Sequence, residues 1–238
     1  MIIDAKDLSY KEINEALRGG GEFEIKNCLG QRFIAAGMSD KRITISGVPG
    51  NALGAYLNGA EITVNGNAQD AAGDTMNDGK IIIKGSVGDA AGYAMRGGAI
   101  YVKNNAGYRA GIHMKAYKDK IPVMVIGGCT GSFLGEYQAG GVIIVLGVDI
   151  KNERIVGNFP CTGMHGGKMI LRSDCKAVQF PNQVTAKAAT EEDMAEIKKY
   201  VSEYCRLFGA DTDAMLNFPF TVVTPNSKNP YKQLYAAN

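Results

Sequence analysis

Residues 62–80 read Ile-Thr-Val-Asn-Gly-Asn-Ala-Gln-Asp-Ala-Ala-Gly-Asp-Thr-Met-Asn-Asp-Gly-Lys, and residues 81–99 read Ile-Ile-Ile-Lys-Gly-Ser-Val-Gly-Asp-Ala-Ala-Gly-Tyr-Ala-Met-Arg-Gly-Gly-Ala. Laid one on the other, the two stretches agree in where aliphatic, glycine and methionine positions fall. The 19-residue step extends both ways: Ile43, Ile62, Ile81 and Ile100 form one register, and Ile45, Val64, Ile83 and Val102 a second. Leu57, Met76, Met95 and Met114 form a third; Leu53, Ala72, Ala91 and Ala110 form a fourth, smaller one. Gly47, Gly66 and Gly85 keep the same step, with Asn104 in the next place, and so do Gly54, Gly73, Gly92 and Gly111. A fixed period of this kind marks a repeat architecture. Nineteen residues are too few for a helix–turn–helix unit and close to one rung of a parallel β-helix.

In such a rung a strand like Ile81-Ile82-Ile83-Lys84 turns alternate side chains inward, so stacked rungs about 4.8 Å apart place equivalent residues in one internal column. Each buried Ile, Val or Met of a column stabilises by roughly 1.5–3 kcal/mol. The glycines are expected at corners, where the chain turns sharply or takes φ > 0, so a β-branched residue at Gly92 should cost more than a surface change.

The columns continue upstream in Phe23-Glu24-Ile25, with a corner at Gly30. Downstream they continue in Val123-Met124-Val125, Ile143-Ile144-Val145 and Met169-Ile170-Leu171. Two charged insertions, Lys115–Lys120 and Val148–Ile155, break the period and should bulge outward as loops. The expected fold is an all-β solenoid, a β-helix of about seven rungs over residues 22–172. Gly135 and Gly163 carry its glycine positions past the insertions. Residues 1–21 are expected as an N-terminal helical cap, since Ser9 and Glu12 have capping-box spacing ahead of Gly19-Gly20-Gly21. In 173–238, Thr190 to Gly209 reads as a second helix, and an extended tail runs from Phe218 over the same domain or a partner. Both helices are expected as covers for the open ends of the solenoid.

Composition narrows the function. Among 238 residues, 26 Lys and Arg against 24 Asp and Glu leave a net charge of +2, which disfavours a phosphate-driven nucleic-acid binder. No apolar run has the length of a membrane span, and no basic region precedes an apolar stretch at the start, so a cytoplasmic address is expected. The five cysteines (Cys28, Cys129, Cys161, Cys175 and Cys205) are too dispersed for a disulfide framework, a zinc site or an iron–sulfur motif. There is no G-x-G-x-x-G between strand and helix, and Gly167-Lys168 lacks the following Ser or Thr of a phosphate loop.

Asn51, Asp70 and Asp89 share the 19-residue step and should stack along one edge. They could hold a cation or act as an acid–base pair, as in glycan-cleaving β-helices. The preferred reading is Asn and Asp satisfying turn amides. His113 follows Tyr56, Thr75 and Ala94 in a column and reads as a wall or interface residue. His165 and the nearby Cys161 lack a partner that would make either a catalyst.

The strings Gly-Asn-Ala-Gln-Asp-Ala-Ala-Gly-Asp-Thr-Met (66–76), Gly-Tyr-Ala-Met-Arg-Gly-Gly (92–98), Gly-Tyr-Arg-Ala-Gly-Ile-His-Met-Lys (107–115), Gly-Ser-Phe-Leu-Gly-Glu-Tyr-Gln-Ala-Gly-Gly (131–141) and Thr-Gly-Met-His-Gly-Gly (162–167) carry a resemblance. Together they resemble the C-terminal glycine-repeat (GXGXG) domain of the glutamate synthase large subunit, in its free-standing form. The resemblance covers nearly the whole chain, including the tail beginning Phe218-Pro-Phe-Thr-Val-Val-Thr-Pro. It implies a right-handed β-helix without chemistry of its own, holding an FMN-containing synthase subunit and a class II glutamine amidotransferase subunit together. That enzyme moves the amide nitrogen of glutamine to 2-oxoglutarate and reduces the product to glutamate. FMN and the iron–sulfur centre are expected in the partner, with no cofactor, metal or catalytic residue here. The partner contacts are expected at the two insertions and the tail, with Tyr108, Arg109, His113, Lys115, Lys118 and Glu136. A related glycine-repeat subunit of formylmethanofuran dehydrogenase is the second reading; Arg96, His113-Met114-Lys115 and Glu136-Tyr137 favour glutamate synthase. A carbohydrate-active β-helix enzyme is a third.

Overall fold

The computed structural model describes residues 1–148 and 154–226. Its chain starts with a short strand β1 (Ile2–Asp4) and a helix α1 (Tyr10–Ala16). Eight strands follow: β2 (Gly21–Leu29), β3 (Lys41–Val48), β4 (Asn58–Val64), β5 (Asp78–Ile83), β6 (Ala99–Val102), β7 (Val123–Ile126), β8 (Ala139–Val145) and β9 (Gly166–Leu171). The last segment holds β10 (Val184–Ala188), α2 (Glu191–Phe208), α3 (Thr212–Leu216) and β11 (Thr221–Pro225). One 11-stranded sheet runs in the order β1 to β9, then β11 and β10. It is parallel from β1 to β9, a parallel β-solenoid of about 7 turns.

Strand register follows the sequence columns. Ile43, Ile62, Ile81, Ile100, Met124, Ile143 and Met169 are successive partners, and all are fully buried. Their core also takes in Leu57, Met76, Met95 and Met114 from the turns.

Each strand leads to a turn of a kind that the sequence does not announce. In seven consecutive turns, three alternate residues lie in the left-handed region: Phe33, Ala35 and Gly37 in the first, Ala71, Gly73 and Thr75 in a middle one, Phe159, Cys161 and Gly163 in the last. Left-handed backbone costs a non-glycine residue about 1–2 kcal/mol, so something must offset it repeatedly. Rung-to-rung hydrogen bonds do. Ala71 and Thr75 donate their N–H groups to Asp89 and Tyr93 of the next rung, while Gly73 donates backward to Leu53. The same alternation recurs at Ala90, Gly92 and Ala94, and at Arg109, Gly111 and His113.

Five of the seven turns carry glycine at the middle position, and packing matters there as much as φ. A Cβ on Gly92 would strike Cε of Met124 inside the core, and one on Gly54 would come within 2.9 Å of Ile81 Cδ1. First and third positions point outward and carry Ala, Arg, Phe, Tyr, Thr or His. In the first and last turns Ala35 and Cys161 take the middle place, and Gly37 and Gly163 fall at the third.

One end follows expectation and the other departs from it. Helix α1, opened by a Ser9–Glu12 capping box, buries Ile13 and Leu17 in the solenoid core at its N-terminal end. Helix α2, opened by Thr190 and Asp193 and closed by left-handed Gly209, does not cover the other end. It lies along the outer face of the sheet. The outward column begins polar (Glu24, Thr44, Thr63) and turns apolar at Ile82, Tyr101, Val125, Ile144 and Ile170. Ile197, Val201, Tyr204 and Cys205 cover the apolar part. Apolar area outside the solenoid, rather than at its mouth, decides where the helix goes.

The C-terminal end is closed instead by Cys175, Val178, Phe180 and Val184, with Val223 of β11 opposite Met169. The segment expected as a tail from Phe218 is therefore, up to Asn226, mostly a strand between β9 and β10. Its remainder, 227–238, and most of the Val148–Ile155 insertion lie outside the described residues. Among the described residues no helix is long and apolar enough to cross a membrane.

Candidate functional site

Because the first and third left-handed positions face outward, the seven turns display two columns of side chains along one flank. One runs Phe33, Ala52, Ala71, Ala90, Arg109, Phe133, Phe159; the other runs Gly37, Tyr56, Thr75, Ala94, His113, Tyr137, Gly163. The third and fourth turns carry small residues, and the last three carry large ones except at Gly163.

There the side chains interlock. Arg109 Nε lies 3.1 Å from Glu136 Oε2, with Glu136 only 13% exposed, and the guanidinium covers the Phe133 ring at 5.1 Å. Phe133 stacks on Phe159 with centroids 5.4 Å apart, and Phe159 remains 62% exposed. His113 stacks on Tyr137 at 5.2 Å and meets the edge of Tyr93 at 5.9 Å. Aromatic pairs of this geometry contribute about 0.5–1.5 kcal/mol beyond their buried area, so the ridge is ordered before anything binds it.

Of the six residues expected at a partner interface, the structure thus brings Arg109, His113 and Glu136 onto one ridge. Tyr108 lies beside it on the Asn51–Asp70–Asp89 edge, exposed, donating its N–H to Asp89 Oδ1 at 2.8 Å. Lys115 and Lys118 belong to a different surface. Lys115 follows Asn58, Asn77 and Arg96 in a column one step beyond the buried methionines, and Lys118 sits on the small hairpin closed by Tyr117 and Lys120. That insertion does not simply bulge outward. It folds back along the solenoid, and Lys120 pairs with Asp78 at 2.6 Å. The ammonium holds the Asp78 carboxyl below its usual range. Phe133, Tyr137 and Phe159 did not emerge from the sequence, although each follows the left-handed columns once the insertion lengths are allowed for.

The acidic edge has a local explanation. Asp70 Oδ1 accepts the N–H of Asp89 at 2.9 Å, and Asp89 does the same for Tyr108, so each carboxylate ties its rung to the next. Among the described residues no three His, Cys, Asp or Glu side chains converge as a metal site. His165 Nδ1 lies 3.0 Å from the Gly163 carbonyl, and Cys161 is fully buried with Sγ 3.4 Å from Met169 Sδ, so the two form no pair. Burial pushes the Cys161 thiol up to about 12 and Cys28 up to about 11, which keeps both protonated near neutrality.

Comparison with known proteins adds three findings. The family model described as the GXGXG motif matches residues 10–225. An uncharacterized protein of Methanocaldococcus jannaschii is 46% identical over 250 residues, covering 99% of this chain and 96% of its own length. A chain of the formyltransferase/hydrolase complex of Methylorubrum extorquens, solved with methylofuran, superposes with a TM-score of 0.62 at 20% identity, over 82% of this chain and 70% of that one. At that identity the likeness is one of fold.

Proposed function

This chain belongs to the GXGXG motif family, and on that premise we propose that it is a non-catalytic subunit of a glutamate synthase complex. It would hold an FMN-containing synthase subunit and a class II amidotransferase subunit in fixed relation, so that ammonia released from glutamine reaches 2-oxoglutarate. FMN and the iron–sulfur centre belong to the synthase partner in this reading. The observation that carries it is the ridge of Arg109, His113, Phe133, Glu136, Tyr137 and Phe159. It is pre-ordered and solvent-facing, whereas the chain's own α2 covers the apolar outer face of the sheet. Exposed aromatic patches on a rigid element are what partner surfaces look like. The sequence strings that carry the glutamate synthase resemblance fall largely on these turns.

The test co-expresses the three subunits with Phe133→Asp and Phe159→Asp combined. Loss of the complex is expected, with the strand-dominated far-UV spectrum of the isolated chain retained. The isolated chain should show neither glutaminase activity nor bound flavin. A complex that assembles and couples glutamine hydrolysis to glutamate formation as tightly as wild type would reject the assignment. The fold neighbour keeps a second reading in play, a subunit of a formyl-transferring assembly. Association with formyltransferase/hydrolase subunits in place of the synthase would select it.

A further inference from the structure

The Lys115–Lys120 insertion turns a flat flank into a groove. Its cavity of ≈ 370 Å³ is lined by Tyr56, Asn58, Asn77, Arg96, Tyr117 and Lys120. Four successive rungs contribute Asn58, Asn77, Arg96 and Lys115 at one equivalent position, held in register by N–H donation from each to the carbonyl one rung back (Met38, Leu57, Met76 and Met95). Those three rung steps span about 14 Å, the length of roughly four extended residues. Tyr56 and Tyr117 are 58% and 54% exposed. A Cβ at Gly97 would strike the Asn77 carbonyl of the rung before and come within 3.0 Å of Lys120 Cβ, so the Lys120 stem lies close against the solenoid here. The insertion is therefore seated on the solenoid.

The charges of this groove are one-sided. Lys120 is neutralised by Asp78, but Arg96, Lys115 and Lys118 are exposed and have no carboxylate partner among the described residues. Asp119 is the single carboxylate of the loop, so the groove and its border together keep a positive excess. Lys118 Nζ lies over the Tyr117 ring at 5.4 Å, bringing an aromatic face and a cation together at the rim. Asn58 and Asn77 offer stacked amides, each a donor and an acceptor, to a bound main chain.

We propose that this groove docks an extended acidic peptide segment of a partner subunit. Three observations choose that occupant. Arg96 lines the groove, Lys115 continues its column one rung on, and Lys118 stands on the hairpin that borders it, a succession along the rungs that suits several carboxylates on one strand. These cations are too few, on a chain of net charge +2, for a nucleic-acid track. The tyrosines and amides match a peptide's side chains and backbone. The inference rests on the subunit reading above for the existence of a partner, and adds the chemistry of one contact.

The test uses the full chain alone, with fluorescein-labelled decaglutamate as probe and fluorescence anisotropy as readout. Decaglutamate is expected to bind at low ionic strength and to weaken steadily with added salt. Arg96→Glu combined with Lys115→Glu should reduce affinity at least tenfold, and Lys118→Glu severalfold; Tyr117→Ala should reduce it while leaving the salt dependence intact. Lys41→Glu, on another part of the solenoid, should change nothing. No salt-sensitive binding, wild-type affinity in the charge-reversed variants, or equal binding of a ten-nucleotide thymidine strand would each overturn the proposal. The assay needs no partner, so its failure is separable from failure of the three-subunit assembly. Arg96→Glu that leaves assembly intact, where the Phe133 and Phe159 pair abolishes it, would remove the groove and keep the ridge.

Discussion

Gln138 occupies the place that Leu57, Met76, Met95 and Met114 hold in earlier rungs, and it is fully buried. An amide in an apolar column needs a reason. The pairing of β8 with β9 slips between Ala139 and Val142, freeing carbonyls at the slip. Gln138 Nε2 donates to Gly140 and Gly141 at 3.2 and 3.1 Å and lies 3.4 Å from the Lys168 carbonyl. Its Oε1 has no partner among the described residues. Two opposing effects follow, since Gln138→Met would restore the column but strand the carbonyls. An unsatisfied buried acceptor costs about 1–3 kcal/mol, and more than one is at stake. Gln138→Met should therefore destabilise by about 1–3 kcal/mol in urea unfolding; a more stable variant would show that the orphan oxygen dominates.

Among the elements, α1 matters through one side chain. In every later turn the middle N–H donates to the rung before, but the first turn has no rung before it. Asn14 supplies the missing groups: its Oδ1 accepts the Ala35 N–H and its Nδ2 donates to the Phe33 carbonyl, both at 2.8 Å. The helix thus ends the repeat by imitating it. Asn14→Leu should lower stability by about 1–2 kcal/mol, and amide exchange should quicken first at 33–37 while the middle rungs stay protected. Helix α2 is held differently, by apolar contact flanked by Lys80–Glu203 and Lys168–Glu196, both 2.7 Å. Glu203 is depressed to about 2 by its hydrogen bond to Arg206 and then by Lys80, against 4.5 for the ordinary group. A depressed carboxyl favours the folded state above its unfolded pKa and loses that contribution as pH falls through the folded one. Thermal melts of wild type and Glu203→Gln should differ most near neutrality, with wild type the more stable, and converge between pH 4.5 and 2.

Taken whole, the molecule is a rod with one flank covered, one displayed and a groove made by an insertion. Much of the rod was written in the 19-residue step. A repeat that buries the same position in every rung must repeat its apolar residues, so Ile43 to Met169 could be aligned without coordinates. The outward column of Ile82, Tyr101, Val125, Ile144 and Ile170 gave no such guide: the helix at 190–208, expected at an open end of the solenoid, covers this column instead. The turns were not legible, because Ala, Arg and Phe have no intrinsic preference for left-handed backbone. Only hydrogen bonds to the neighbouring rungs impose it, and they exist only once the rungs stack. The same holds for the ridge. Arg109, Phe133 and Phe159 are 24 and 26 residues apart and meet through stacking alone. Sequence by itself determined the solenoid, its columns and its breaks, since those depend on which residues repeat. Tertiary structure alone decided that α2 covers a side, that β11 enters the sheet between β9 and β10, and that the Lys115–Lys120 insertion folds back to form a groove. Each of those outcomes depends on which apolar or charged surface a segment finds after the rungs have formed, and no local pattern encodes that.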